Sequence, residues 1–111
     1  MTEKVIDHPT FDELKQTVGA EFVAELVDTF LEEAPQMLAA LRAAFDAQAA
    51  DPFRRAAHSL KTNAYTFGAS ALGGQARALE QGGLPSDGTG LDALDAAYAA
   101  AAAMLRALAH G

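Results

Sequence analysis

The stretch Asp51-Pro52-Phe53-Arg54-Arg55-Ala56-Ala57-His58-Ser59-Leu60-Lys61-Thr62-Asn63-Ala64-Tyr65-Thr66-Phe67-Gly68 decides how this 111-residue chain is read. An α-helix turns by about 100° per residue. On that wheel Phe53, Ala57, Leu60, Ala64 and Phe67 form one apolar stripe with Ala56 beside it, while Arg54, His58, Lys61, Thr62 and Tyr65 share another face. Asp51 is placed to cap the free amides of a first turn, and Pro52 sits where a missing N–H costs little. Gly68 takes the left-handed geometry that ends a helix at small steric cost. The pattern predicts a helix over 52–67 that buries one side and holds His58 toward solvent, with a cation one turn to either side.

Upstream, residues 1–9 are expected to be a leader, and Thr10 the N-cap of a short helix through Phe11, Leu14 and Val18 that Gly19 ends or bends. From Ala20 the positions Phe22, Val23, Leu26, Val27, Phe30 and Leu31 recur at helical spacing, and Met37, Leu38, Leu41 and Phe45 continue the series. Pro35 interrupts it, removing one hydrogen bond and crowding the carbonyl of Leu31, so a kink or restart is expected there. A break at Ala49-Ala50-Asp51-Pro52 leads into the His58 helix.

Downstream, a helix over 69–81 turns Ala69, Leu72, Ala76 and Leu79 inward, with Gly73 and Gly74 allowing close helix approach. Residues 82–90, Gly-Gly-Leu-Pro-Ser-Asp-Gly-Thr-Gly, form the one clear loop. The last helix, 91–109, presents Leu91, Leu94, Tyr98, Leu105 and Leu108 to the core. No sustained period-two run appears, so the fold class is all-α. Long helices with short connections favour an antiparallel four-helix bundle from residues 20–49, 52–67, 69–81 and 91–109, with the short N-terminal helix as a lid.

Composition bounds the function. A chain of this length makes one domain, 1–111, with a single core. Its formal charge of -7 argues against a nucleic-acid surface or an anionic-membrane surface, both of which call for basic stripes. The absence of cysteine excludes disulfides and thiolate sites. There is no secretory signal and no apolar run long enough for a membrane span, so a soluble cytoplasmic domain is expected. The start at Met1 and the end at Gly111 favour a free-standing protein over an excised piece.

His58 carries the chemistry. A neutral imidazole is a nucleophile toward phosphorus near neutral pH, and Lys61 and Arg54 disfavour its protonation and can hold phosphoryl oxygens. Thr62 adds a hydroxyl. Tyr65 is either a partner-contact residue or an ordinary exposed aromatic. No phosphate-binding loop or dinucleotide fingerprint exists, so no ATP site is expected, and no helical pair of metal ligands is present. On the residues alone His58 is either an ordinary solvated histidine or a phosphoryl acceptor, and no cofactor or metal of the chain's own is expected.

Ala57-His58-Ser59-Leu60-Lys61, followed by Gly68-Ala69, Leu72, Leu79 and Glu80, resembles the signature of histidine-containing phosphotransfer (HPt) domains. The resemblance covers about thirty residues closely; the rest agrees in length, in the proline-interrupted helix and in the all-helical plan. It implies that His58 accepts a phosphoryl group from the aspartate of a receiver domain and passes it to another receiver or back, with Lys61 steadying the group. It further implies that magnesium belongs to the receiver, that Gly68 shapes the turn into the next helix, and that receiver domains or a hybrid histidine kinase are the partners. One position departs: the commonest pattern has Gly-Ser after the lysine, where Thr62-Asn63 stand here. Either Thr62 restricts which receivers dock, or its hydroxyl bonds the phosphoryl group directly.

Two other readings fit an exposed histidine on a helical bundle. One is a docking or scaffold bundle for a two-component signalling partner that is never phosphorylated. The other is a dimerisation fragment of a histidine kinase, which would place an acidic residue after the histidine where Ser59 stands. A phosphotransfer module of this length closes its bundle as a monomer, whereas the kinase fragment would dimerise.

Overall fold

The computed structural model describes residues 4–110, and there the chain forms five helices: α1 (His8–Val18), α2 (Ala20–Asp46), α3 (Ala50–Thr66), α4 (Ser70–Gly82) and α5 (Thr89–His110). No strand occurs among the described residues. Helix α3 packs against α2 and α4, and α5 closes the ring by packing against the same two. Neighbours run in opposite senses. On the α3–α4 pair His58 lies across from Glu80 and Tyr65 across from Gly73. On the α2–α5 pair Arg42 meets Asp92 and Asp95, while Asp28 meets His110. The result is an antiparallel four-helix bundle, α2 to α5, with α1 laid across α2 and α3.

The core is apolar throughout, with no polar or charged residue buried among those described. From α3 it takes Phe53, Ala57, Leu60 and Ala64, the stripe read from the sequence, and Phe67 follows at the helix end. Phe30 of α2 joins that end to α5: its ring lies 5.2 Å from Phe67 and 6.4 Å, edge-on, from Tyr98. Phe22 is an exception to the expected inward series, being 50% exposed. It stands one residue before Val23, hence about 100° off the stripe that Val23, Val27, Phe30 and Ala34 bury.

Several boundaries differ from the sequence expectation. Pro35 neither ends nor restarts α2, which runs through it. The Leu31 carbonyl, deprived of its usual amide donor, instead accepts the Tyr98 hydroxyl at 3.3 Å. Helix α2 stops at Asp46 rather than 49, and α3 starts at Ala50, so Asp51 lies inside the first turn and makes no cap hydrogen bond. Its carboxylate pairs with Arg54 and Arg55 instead. Helix α4 spans Ser70–Gly82 and α5 begins at Thr89, shortening the connection to 83–88; Asp87 accepts both the Thr89 amide and its hydroxyl.

The N-terminal segment is the largest difference. Helix α1 begins at His8, so Thr10 is inside it, and the Thr10 hydroxyl donates back to the Asp7 carboxylate. Of the expected leader, Met1 to Glu3 lie outside the described residues, as does Gly111. Residues 4–7 pack: Ile6 is buried, the Asp7 amide donates to the Gly68 carbonyl at 2.7 Å, and the Ala71 amide donates to the Lys4 carbonyl at 2.9 Å. A buried isoleucine and two backbone hydrogen bonds hold this segment against the α3–α4 turn.

Candidate functional site

The site forms where α3 and α4 lie side by side, and the turn between them sets its register. Helix α3 ends in a Schellman motif: the Gly68 amide donates to Tyr65 and the Ala69 amide to Ala64, with Gly68 at φ +78°. From this turn the two helices run back along each other. His58 and Glu80, 22 residues apart in sequence, stand at similar distances before and after Gly68 and so face each other.

His58 projects from the bundle, its side chain 57% exposed, on the helix whose opposite side is core. Its Nδ1 is 2.6 Å from Glu80 Oε2, and the other oxygen of that carboxylate is 2.7 Å from Lys61 Nζ. Glu80 is only 14% exposed, so one largely buried carboxylate joins the imidazole and the ammonium. The Lys61 ammonium first, and the His58 ring N–H after it, hold the Glu80 carboxyl below the usual glutamate range, against the burial that pushes it up. An ionised carboxylate only accepts hydrogen bonds, so Nδ1 carries the ring proton. In the neutral ring the lone pair is then on Nε2, which makes no hydrogen bond among the described residues.

Stability follows from the lowered Glu80 pKa. A carboxyl whose folded value lies below its unfolded one contributes fully above the ordinary glutamate range. That contribution fades as the pH falls through the lowered folded value. Urea titrations of the native chain and of Glu80→Gln should therefore diverge at neutral pH and converge in acid, with Glu80→Gln the less pH-dependent of the two.

The remaining sequence-predicted residues are placed as follows. Lys61 is 23% exposed and joined to His58 only through Glu80. Arg54 is not brought to the imidazole: its guanidinium pairs with Asp51 at 2.9 Å, back toward the start of α3. In place of two cations bearing directly on the ring, Lys61 shares the Glu80 carboxylate with His58, and Arg54 shares Asp51 with Arg55. Thr62 is exposed, and its hydroxyl donates to the His58 carbonyl at 3.0 Å. The Tyr65 ring lies over Gly73, where a Cβ would come within 2.8 Å of it, so Gly73 serves as the seat of this ring. On the opposite flank of α3 an open groove toward α2 is lined by Glu32, Glu33, Met37, Arg55 and Ser59.

Glu80 is the residue that sequence reasoning did not assign to the site. Helical periodicity groups residues of one helix, and Glu80 is on another. The signal that could have found it was the Gly68 turn: folding an antiparallel pair about that glycine sets Glu80 opposite His58.

The family model of the Hpt domain matches residues 25–104, well over half of the chain and all of the α3–α4 site. The chain belongs to the Hpt domain family. No curated protein and no solved structure matches it. As an Hpt domain it has a histidine phosphotransfer role in phosphorelay, as a phosphocarrier that interacts with the receivers or kinases of two-component systems. Among the described residues, no helix of this Hpt domain is long and apolar enough to cross a membrane.

Proposed function

We propose that His58 is the phosphoryl acceptor and that it reacts through Nε2. The observation that carries this reading is the pairing of an outward imidazole with Glu80 at Nδ1, which leaves the nucleophilic nitrogen free. In the forward step the Nε2 lone pair attacks the phosphorus of a receiver's aspartyl phosphate. The bond from phosphorus to the aspartate oxygen breaks, and its electron pair returns to the carboxylate. The phosphorylated ring keeps its Nδ1 proton, and Glu80 balances the charge that the ring acquires. Passage to a second receiver, or back to the first, is the same step reversed.

Lys61 has three N–H donors and directs one at Glu80, so two remain for phosphoryl oxygens. Phosphoryl transfer asks chiefly for positioning and charge stabilisation, and magnesium bound to the receiver supplies the rest. The Hpt domain then needs no cofactor and no ATP site of its own. Its partners are receiver domains, alone or within a hybrid histidine kinase, and it acts as a cytoplasmic monomer. Arg54 and Tyr65 flank the acceptor as docking residues, and Gly68 supports the turn.

Incubation with a phosphorylated receiver and magnesium should give acid-labile, base-stable label that is lost in His58→Gln. Label elsewhere, or none with any receiver, would leave the docking bundle as the better reading. A dimer on gel filtration would contradict the monomer.

A further inference from the structure

The position after Lys61 admits two roles for Thr62, a donor to the phosphoryl group or a restriction on partners, and the hydrogen bonding around it separates them. The Thr62 hydroxyl has one proton, and that proton is committed to the His58 carbonyl at 3.0 Å. Phosphoryl oxygens are acceptors. They find no free donor on Thr62, whose remaining substituent is the γ-methyl. The Cα–Cβ bonds of a helix tilt toward its N-terminus and residues four apart are neighbours, so the Cβ that bears this methyl tilts toward the turn that carries His58.

Tyr65 is fixed by a different contact. Its ring occupies the space a side chain would fill at Gly73, with Cε1, Cζ and Cδ1 at 2.8, 2.9 and 3.0 Å from where a Cβ would stand. It nevertheless stays 38% exposed, one of two exposed large apolar side chains among the described residues. Thr62 and Tyr65 are one turn apart on the exposed side of α3, both C-terminal to His58, the first tied to the backbone of its own helix and the second seated on α4.

We infer that the Thr62 methyl and the Tyr65 ring form a rigid apolar ledge beside the acceptor, and that this ledge selects receivers whose surface next to the phosphorylated aspartate is small and apolar. The inference rests on His58 being the acceptor. Thr62 acts on partner choice by shape, not by touching the reacting phosphorus. A receiver with a bulky or charged residue at that point is held away from Nε2, and one with a small apolar residue seats against the ledge.

The test compares transfer from a panel of phosphorylated receivers with labelling by phosphoramidate, a donor too small to meet the ledge. Phosphoramidate should label the native chain, Thr62→Val, Thr62→Ser and Thr62→Gly at similar rates. With receivers, Thr62→Val keeps the shape without the hydroxyl and should preserve the native order of rates. Thr62→Ser keeps the hydroxyl without the methyl and should raise transfer from the poorly served receivers roughly tenfold, the scale of one methyl in an apolar contact. Thr62→Gly should do the same, and Tyr65→Ala should also compress the differences between receivers. If Thr62→Ser behaves as native and Thr62→Val loses transfer from every receiver, the hydroxyl serves the phosphoryl group and the ledge is refuted. Label at His58 with the order of receivers unmoved by Ser, Gly and Ala overturns the ledge alone. Absence of label at His58 from every donor overturns the acceptor assignment together with it.

Discussion

Lys61→Ala is expected to slow single-turnover transfer from a phosphorylated receiver by on the order of 10²-fold, the scale at which removing one preorganised donor from a developing charge is felt. Glu80→Ala should slow it by roughly tenfold, because the ring loses the acceptor that fixes its tautomer and orientation. The two losses should not multiply. Glu80 holds Lys61 at 2.7 Å and His58 at 2.6 Å, so removing it also releases the ammonium, and part of the Lys61 effect is already contained in the Glu80 variant. A double-mutant cycle on the transfer rate measures this. Equal multiplication of the two effects would show that the carboxylate does not connect the two groups. Glu80→Ala, and to a smaller degree Lys61→Ala, should also lower the urea midpoint at neutral pH, because each removes part of the pairing that holds the Glu80 carboxyl low, so the rates are compared without denaturant.

Gly68→Ala acts on the fold instead, and a loss of about 2–4 kcal/mol is expected, combining left-handed strain with an overpacked contact. In a chain of this size that lowers the melting temperature by roughly 10–20 °C. The comparison with Gln48 shows why the conformation is only part of the cost. Gln48 ends α2 with φ +55° in the same pattern of bonds, its amide donating to Phe45 and the Ala49 amide to Ala44. A non-glycine residue is therefore tolerated at one of the two Schellman turns. At Gly68 a Cβ would stand 2.7 Å from the Asp7 carbonyl, and the Asp7 amide donates to the Gly68 carbonyl from the other side. The added methyl drives the N-terminal segment off the turn. Thermal unfolding of Gly68→Ala beside a Gln48→Ala control checks this: a loss no larger at position 68 than at position 48 would contradict the close-approach argument.

Family membership and the geometry of the site meet at the α3–α4 pair, which carries the imidazole, the ammonium and the carboxylate that links them. The hydroxyl of Thr62 is turned to its own backbone, and a tyrosine rests on a glycine of the neighbouring helix. Both residues lie on the exposed side of α3 that also carries His58.

Much of this was legible along the chain, because a helix repeats every 3.6 residues and an apolar stripe marks its buried side. The stripe of α3 and the outward direction of His58 were read from that periodicity, the turn at Gly68 from glycine's access to left-handed geometry, and the all-helical class from the lack of any period-two run. Pairings between helices were not. The carboxylate on His58 and Lys61, the seat of Tyr65 on Gly73, the Tyr98 hydroxyl that lets α2 run through Pro35, and the docking of Ile6 and Asp7 all join residues far apart in sequence. Periodicity within one helix states which side is inward. It does not state which residue of a neighbour arrives there, and that is decided only when the helices pack and their register is set.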